Sequence, residues 1–187
     1  MIYGYLIAAL WVAWAAYWFA TANAVKPIAR SESWQSRLAY SAPLWVAVVL
    51  LVDRRLPWPL DVPLLPASGG TAVLAVALTA IGLGFAVWAR VILGGNWSAE
   101  VTVKQDHELI QHGPYGLARH PIYTGLGLAF VAAFFAIGEW RALLAAVIAI
   151  ASFVYKLGIE ERVMRETFGG EYDAYAARVK ALVPFIV

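Results

Sequence analysis

An all-α integral membrane protein, a bundle of five transmembrane helices, is the fold class this sequence predicts, and three observations predict it. Hydrophobic residues fill 62% of the 187 positions against 14% charged, and the mean hydropathy is +0.69, a balance far from that of soluble domains. Five apolar runs approach the roughly 20 residues needed to cross a hydrocarbon core of about 30 Å. The polar stretches, a loop after the third run and a C-terminal tail, fall between or beyond those runs. A chain this short holds one bundle, so a single membrane-embedded domain is expected over 1–187, with two N-terminal spans in 1–57 and the functional part in 70–187.

The first span is expected over residues 2–22. Trp11, Trp14 and Trp18 fall on one face of it, which suits packing or interfacial anchoring. Ala22-Asn23-Ala24 resembles a small-residue cleavage site, yet no basic region precedes the long, aromatic-rich apolar stretch, so the segment is expected to stay. The second span, 38–52, is short and contains Pro43. The third, 71–93, is the longest. Its Gly82 and Gly84, with Gly125 and Gly127 in the fourth, are expected to permit close helix packing. The fourth and fifth spans, 122–137 and 142–157, are separated only by Gly138, Glu139, Trp140 and Arg141, which forces an antiparallel hairpin. Charges interrupt residues 158–187 too often for a sixth span. The spacing predicts a helix over 159–168, a break at Gly169-Gly170, and a short amphipathic helix carrying Tyr172, Tyr175 and Val179 along the interface before Pro184.

Five spans put the termini on opposite sides, and the basic residues choose between the two orientations. Lys26, Arg30, Arg37, Arg90, Lys104, Arg119, Lys156, Arg162, Arg165, Arg178 and Lys180 share one side, and only Arg54, Arg55 and Arg141 the other. The positive-inside rule makes the first side cytoplasmic. The N-terminus is then outside and the C-terminus cytoplasmic, in a membrane whose expected identity is a bacterial inner membrane. The polar loop and the tail thus share the face where soluble cofactors are available. The formal charge of +2 says little about partners, nothing points to nucleic acid, and the absence of cysteine excludes disulfides, thiolate metal sites and a cysteine nucleophile.

The loop over 107–125, HELIQHGPYGLARHPIYTG, packs three histidines, an arginine and two tyrosines between apolar segments. His107-Glu108 and His112 approximate a zinc-protease signature, but the spacing is HExxxH rather than HExxH. Five residues on a helix separate side chains by about 140°, and Gly113-Pro114 ends any helix there, so no metal is expected. Serine hydrolysis fails because Ser98 lacks both a GxSxG context and a base. The Asn96-Trp97-Ser98 sequon carries no meaning on a cytoplasmic loop. A dinucleotide loop would need a strand before its glycines. What remains is a loop pinned by Gly113-Pro114 and His120-Pro121, in which Arg119 can hold a carboxylate in a two-pronged grip while Tyr115, Tyr123 and the histidines flank a heterocycle or a cation. The alternative is that these groups only meet the phosphates of membrane lipids.

His107-x-Leu109-Ile110-x-x-Gly113-x-Tyr115-x-x-x-Arg119-His120-Pro121-x-Tyr123-x-Gly125 resembles the signature of the isoprenylcysteine carboxyl methyltransferase family, a group related to the membrane phospholipid methyltransferases. A second block agrees with it: Glu160-Glu161, Phe168-Gly169, Glu171-Tyr172, Tyr175 and Pro184-Phe185. Together the blocks cover roughly the C-terminal half. The resemblance implies S-adenosylmethionine as cofactor, lined by His107, Glu108, Leu109, Ile110, Tyr115, His120, Pro121, Ile122, Tyr123, Glu160 and Glu161, with Glu100 a looser match upstream. It places Lys156 toward the acceptor, where the eukaryotic enzymes carry an arginine. Lysine keeps the charge and loses the planar fork.

The implied function is methyl transfer from S-adenosylmethionine to a lipophilic or prenylated acceptor that enters from the bilayer. Such a displacement needs two aligned reactants and no water between them. A carboxylate acceptor needs a cation, Arg119 or Lys156. An amine or thiol must lose a proton, for which Glu160 or Glu161 can serve as base. Arg119 and Glu160 are accordingly the expected catalytic residues, and Lys156 and Arg119 the acceptor-binding ones. Lys156–Glu160 and Glu161–Arg165 are also i,i+4 pairs, so structural salt bridges are the competing reading for all four. Three further readings stay open: a phospholipid, small-amine or thiol methyltransferase of the same fold, an NADPH-dependent sterol reductase, and a non-catalytic membrane scaffold.

Overall fold

The computed structural model describes residues 2–22, 25–104 and 107–183. Asn23, Ala24, Pro184 and Phe185, on which a cleavage site and the closing family motif were read, lie outside the described residues. Five long helices form the body: α1 (Ile2–Ala20), α2 (Trp34–Val52), α3 (Gly69–Leu93), α4 (Pro121–Ile137) and α5 (Trp140–Phe168). Four of them are long and apolar enough to cross a membrane, and α4 is a shorter apolar helix of 17 residues. The protein is an all-α integral membrane bundle. A nine-residue helix, α6 (Gly170–Arg178), closes the tail.

Each boundary has a local cause. Ser33 caps α2 by accepting from Ser36 N at 3.3 Å. Ser68 and Thr71 form a reciprocal capping box that starts α3. Pro121 opens α4 at its first turn, where a missing N–H costs nothing. Gly138 takes φ +72°, the left-handed conformation that ends α4 and turns the chain into α5. On that side, buried Arg141 donates to the carbonyls of Leu50, Leu51 and Asp53, capping the end of α2.

α1 packs on α3, α3 on α4, α4 on α5, and α5 on α2. The α3–α4 contact is the closest. A Cβ on Gly82 would overlap the Gly125 carbonyl oxygen, and one on Gly125 would lie 2.9 Å from Ala86 N. Close packing was expected of four glycines, but it belongs to these two. A Cβ on Gly84 would meet nothing within 4 Å, and one on Gly127 would only touch Ile150 Cγ1 at 3.8 Å.

Two features differ from the sequence expectation. The fifth span and the first tail helix are one continuous α5 of 29 residues, because nothing between Leu157 and Ile159 interrupts helical hydrogen bonding and Gly158 has open space around it. The break comes at Gly169, with φ +53°. The polar side also carries a two-stranded antiparallel ribbon, β1 (Ile28–Ser31) with β2 (Thr102–Lys104). It ties the loop after α1 to the loop after α3, with Lys26 N donating to Gly95 O at 2.8 Å and Glu32 N to Val101 O at 3.1 Å. The first loop, the third loop and the tail therefore meet at one end of the bundle.

Candidate active site

The motif loop is shaped by its backbone punctuation. Gly113 adopts φ +61° and starts the 3-10 turn Gly113–Gly116, which buries Tyr115 and leads through Arg119 and His120 into α4. The tail runs beside this segment. Arg119 N donates to Lys180 O at 2.8 Å, His120 N to Ala181 O at 2.9 Å, and Thr124 Oγ1 to Leu182 O at 2.7 Å. From α6, Tyr175 donates its hydroxyl to Tyr115 O at 2.6 Å.

Against this loop stand Glu160 and Glu161 of α5. Successive helical residues point about 100° apart, and the two carboxylates take different surroundings. His120 lies between them, Nδ1 3.3 Å from Glu160 Oε2 and Nε2 3.4 Å from Glu161 Oε1. Glu160 also accepts from the Tyr123 hydroxyl at 2.5 Å. Tyr123 is stacked on His120 on one side and on Phe153 on the other, with ring centroids 5.8 and 5.4 Å apart. Lys156, one turn before Glu160, has Nζ 4.0 Å from Glu160 Oε1, donates to Ala99 O at 2.7 Å and sits 4.7 Å over the Tyr40 ring.

Arg119 is committed to the tail. Its Nε donates to Glu161 Oε1 at 3.0 Å, its Nη2 to the same oxygen, and its Nη1 to the carbonyls of Val179 and Ala176. Glu161 also accepts from Arg165 at 3.2 Å, the i,i+4 pair that the sequence allowed. The guanidinium expected to hold an acceptor carboxylate thus clamps the C-terminal segment.

A cavity of about 390 Å³ opens between these elements. From the loops it is lined by Glu100, His107, Glu108, Leu109, Ile110 and Tyr115. Arg119, His120, Pro121, Ile122 and Tyr123 continue the wall into α4, and Lys156 and Glu160 face it from α5. Every sequence-predicted site residue is in the lining except Glu161, which the Arg119 and Arg165 guanidinia hold beside it. Glu100 pairs with Arg37. Glu108 pairs with Lys26 at 3.2 Å and leaves 68% of its side chain exposed, so its part in the lining is peripheral.

The residues that the sequence did not reveal come from the first two spans. Trp14 and Trp18 of α1 are stacked at 4.7 Å, and Trp18 meets Trp97 edge to face at 5.5 Å, all three in the cavity wall. Tyr40 and Leu44 of α2 also line the cavity. The tryptophan stripe was visible in the sequence. Its partner Trp97 lies 79 residues away, and no local pattern connects them.

The electrostatics follow from this packing. Burial opposes protonation of His120, but the Glu160 and Glu161 carboxylates outweigh it and raise its pKa above the ordinary 6.5. Burial likewise opposes the charge on Arg119, and Glu161 more than offsets it. The Tyr172 phenol is pushed up to about 12 by burial and then by Glu161, and the Tyr115 phenol is raised by burial and Glu160. For a histidine whose folded pKa is raised, the stabilisation is fully present below the unfolded pKa near 6.5 and is lost as pH rises through the folded pKa. The melting temperature in detergent, measured as wild type minus His120→Gln, is therefore expected to fall as pH is raised above 6.5. A difference that stays flat or grows would remove the imidazolium from between the two carboxylates.

The phospholipid methyltransferase family model matches residues 71–171, just over half of the chain. The chain belongs to the phospholipid methyltransferase family. That stretch runs from α3 to the start of α6 and contains the motif loop and both glutamates. Among curated proteins, the chain is 34% identical over 84 residues to a probable protein-S-isoprenylcysteine O-methyltransferase of Oryza sativa subsp. indica, covering 44% of each. It is 29% identical over 101 residues to protein-S-isoprenylcysteine O-methyltransferase B of Arabidopsis thaliana, covering 52% of this chain and 51% of the relative. It is 42% identical over 74 residues to methanethiol S-methyltransferase 1 of Bradyrhizobium diazoefficiens, covering 38% of this chain and 24% of that protein. The chain thus spans about half or less of the length of these relatives. The solved structure of a eukaryotic intramembrane Ras methyltransferase, isoprenylcysteine carboxyl methyltransferase, matches with a TM-score of 0.45 and 22% identity over 81% of this chain and 67% of that one.

Proposed function

We propose that this family member is an S-adenosylmethionine-dependent methyltransferase acting on a lipophilic acceptor, with 1–187 working as one domain whose N-terminal spans complete the site. The observation that carries the reading is the composition of one cavity wall. The motif loop and Glu160 face the same space as Trp14, Trp18 and Leu44, so a polar cofactor and an apolar acceptor share it. Its volume of about 390 Å³ falls within the roughly 300–1,000 Å³ of ligand sites.

The donor set fits the cofactor chemically. Tyr115, Tyr172 and His107 offer faces for a heterocycle, and Glu108 and Glu160 offer carboxylates to an ammonium or sulfonium. When bound, S-adenosylmethionine supplies an electrophilic methyl group. The protein's residues supply alignment and exclude water: the tail closes over Arg119 and His120, and the indoles shield the acceptor side. The excess of basic residues on this end supports a cytoplasmic location, the cofactor's compartment, and the reading favours a bacterial inner membrane. The acceptor then arrives from the bilayer. The relatives named for isoprenylcysteine carry the possibility of a prenylcysteine carboxylate, and the one named for methanethiol carries that of a thiol.

Thermal unfolding of the detergent-solubilised protein tests the cofactor. S-adenosylmethionine at 100 times its Kd is expected to add about 2.7 kcal/mol, which for a chain of this size raises Tm by roughly 5–10 °C. NADPH is expected to leave Tm unchanged. A shift with NADPH alone would replace this reading by a reductase, and no shift with either would leave a scaffold.

A further inference from the structure

We propose that the acceptor is a neutral lipophilic thiol whose proton is taken by Glu160, rather than a carboxylate held by a cation. The inference rests on the methyl-transfer reading above and assigns its substrate class from the pairing of charges around the cavity.

An acceptor carboxylate needs a cation that is not already spoken for. Among the described residues the lysine and arginines of the lining are Arg37, Arg119 and Lys156. Arg37 is paired with Glu100. Arg119 is paired with Glu161 and donates to two tail carbonyls. Lys156 is directed to Ala99 O at 2.7 Å, with Glu160 at 4.0 Å. His120 turns both ring nitrogens to glutamates. Drawing Arg119 toward a substrate anion would strip buried Glu161 of its main partner, the costly way to break an ion pair, and drawing Lys156 away would take the donor from Ala99 O and the nearest ammonium from Glu160.

Glu160 is differently placed. An ionised carboxylate has about four lone-pair sites, and hydrogen-bond-range contacts from Tyr123 and His120 use two. The carboxylate remains in the cavity wall, in a lining it shares with apolar Trp14, Trp18, Leu44 and Phe153. Glu161, the other base the sequence offered, is shut away by Arg119 and Arg165. A neutral nucleophile that must shed a proton is what this arrangement can serve. Of the neutral candidates, a cysteine-type thiol has a reference pKa of about 8.5 and a phenol about 10, so the proton reaches a carboxylate most readily from such a thiol. An alkylamine would arrive as a cation.

In the step itself the thiol sulfur's lone pair forms a bond to the methyl carbon of S-adenosylmethionine. The bond from that carbon to the sulfonium sulfur breaks, and its electron pair stays on the donor sulfur. The thiol proton passes to Glu160 and on to water. The products are a methyl thioether, S-adenosylhomocysteine and one proton.

A matched pair of probes, 1-decanethiol and decanoate, separates the two chemistries on one apolar body. Tryptophan fluorescence of the protein loaded with S-adenosylhomocysteine is expected to saturate at a thiol concentration about tenfold or more below that for decanoate. With labelled S-adenosylmethionine the label is expected in methyl decyl sulfide. Glu160→Gln should slow that product by about 100-fold or more and recover as pH is raised toward the alkanethiol's own pKa, about two units above the cysteine reference of about 8.5, where the thiolate forms without a base. Glu160→Asp, which keeps a carboxylate, should fall between the two and guards against a folding artefact in the glutamine variant. Methyl decanoate as the main product, or equal binding of both probes, would overturn the thiol assignment. So would donor binding with neither probe methylated, which leaves the methyltransferase reading standing; failure of the donor to bind removes both.

Discussion

A single methyl group added at Gly82 or Gly125 is expected to force α3 and α4 apart and to cost about 3 kcal/mol or more, at the upper end of what overpacking does. The reason is that the obstacle is backbone. A Cβ on Gly82 would overlap the Gly125 carbonyl oxygen and lie 3.1 Å from Ala129 N, and one on Gly125 would overlap the Gly82 carbonyl. Neither helix has a side chain there that could swing away. Apolar surfaces gain little from meeting inside a bilayer, where lipid tails are equally apolar, so close backbone approach carries much of the association. The damage should reach the site, because α4 begins at Pro121 and holds Tyr123 against Glu160. Gly82→Ala and Gly125→Ala should each lower Tm by roughly 6 °C or more and weaken S-adenosylmethionine binding. Gly84→Ala and Gly127→Ala are the controls, since their added carbons meet open space or a 3.8 Å contact. They should be neutral or stabilising by up to about 1 kcal/mol, the helical preference of alanine over glycine. Equal behaviour of all four would show that the crossing is not set by Gly82 and Gly125.

That contrast also shows where the sequence stops being legible. Long apolar runs announce helices whatever they pack against, so the first four were placed to within a few residues and the fifth was found but ended eleven residues early. Four glycines in two apolar helices looked alike, and only the rotation of one helix against another singles out two of them. The sequence reading ended the fifth span before Gly158, yet a glycine within a strong helical pattern costs only about 1 kcal/mol, and α5 runs through it. The β1–β2 ribbon escaped because its strands are three and four residues long and pair across as many as 76 positions, as from Ile28 to Lys104. In the site, the motif loop and Glu160 were readable because residue types and spacing survive in one dimension. The indole wall was not, since Trp14 and Trp18 meet Trp97 only in the folded chain. The division of labour between Glu160 and Glu161 was equally hidden: adjacent in sequence, they are separated by the angle of one helical step.

Arg119→Met is expected to lose S-adenosylmethionine binding and about 3–5 kcal/mol of stability, the cost of breaking a buried pair from one side. Glu161 would be left 11% exposed with only the His120 ring and the more open Arg165 beside it, and the carbonyls of Ala176 and Val179 would lose their donor. The tail that those contacts hold carries Tyr172 and Tyr175 into the cavity wall, so the cofactor should suffer even though the arginine's guanidinium faces the tail. This makes Arg119 a positioning residue, and the double variant Arg119→Met/Glu161→Met distinguishes that role from direct contact with the acceptor. Replacing both partners of a buried pair with apolar side chains of similar size is often neutral or stabilising. If the arginine acts through the tail, the double variant should regain most of the lost stability by thermal unfolding and methylate to within about tenfold of wild type. If the arginine grips the acceptor, stability should return without activity. Arg119→Lys sharpens the choice. An ammonium keeps the charge toward Glu161 but lacks the fork that reaches the carboxylate and two carbonyls together, so the tail-clamp role predicts a partial loss of both stability and cofactor affinity, with the apparent KM for the acceptor unchanged.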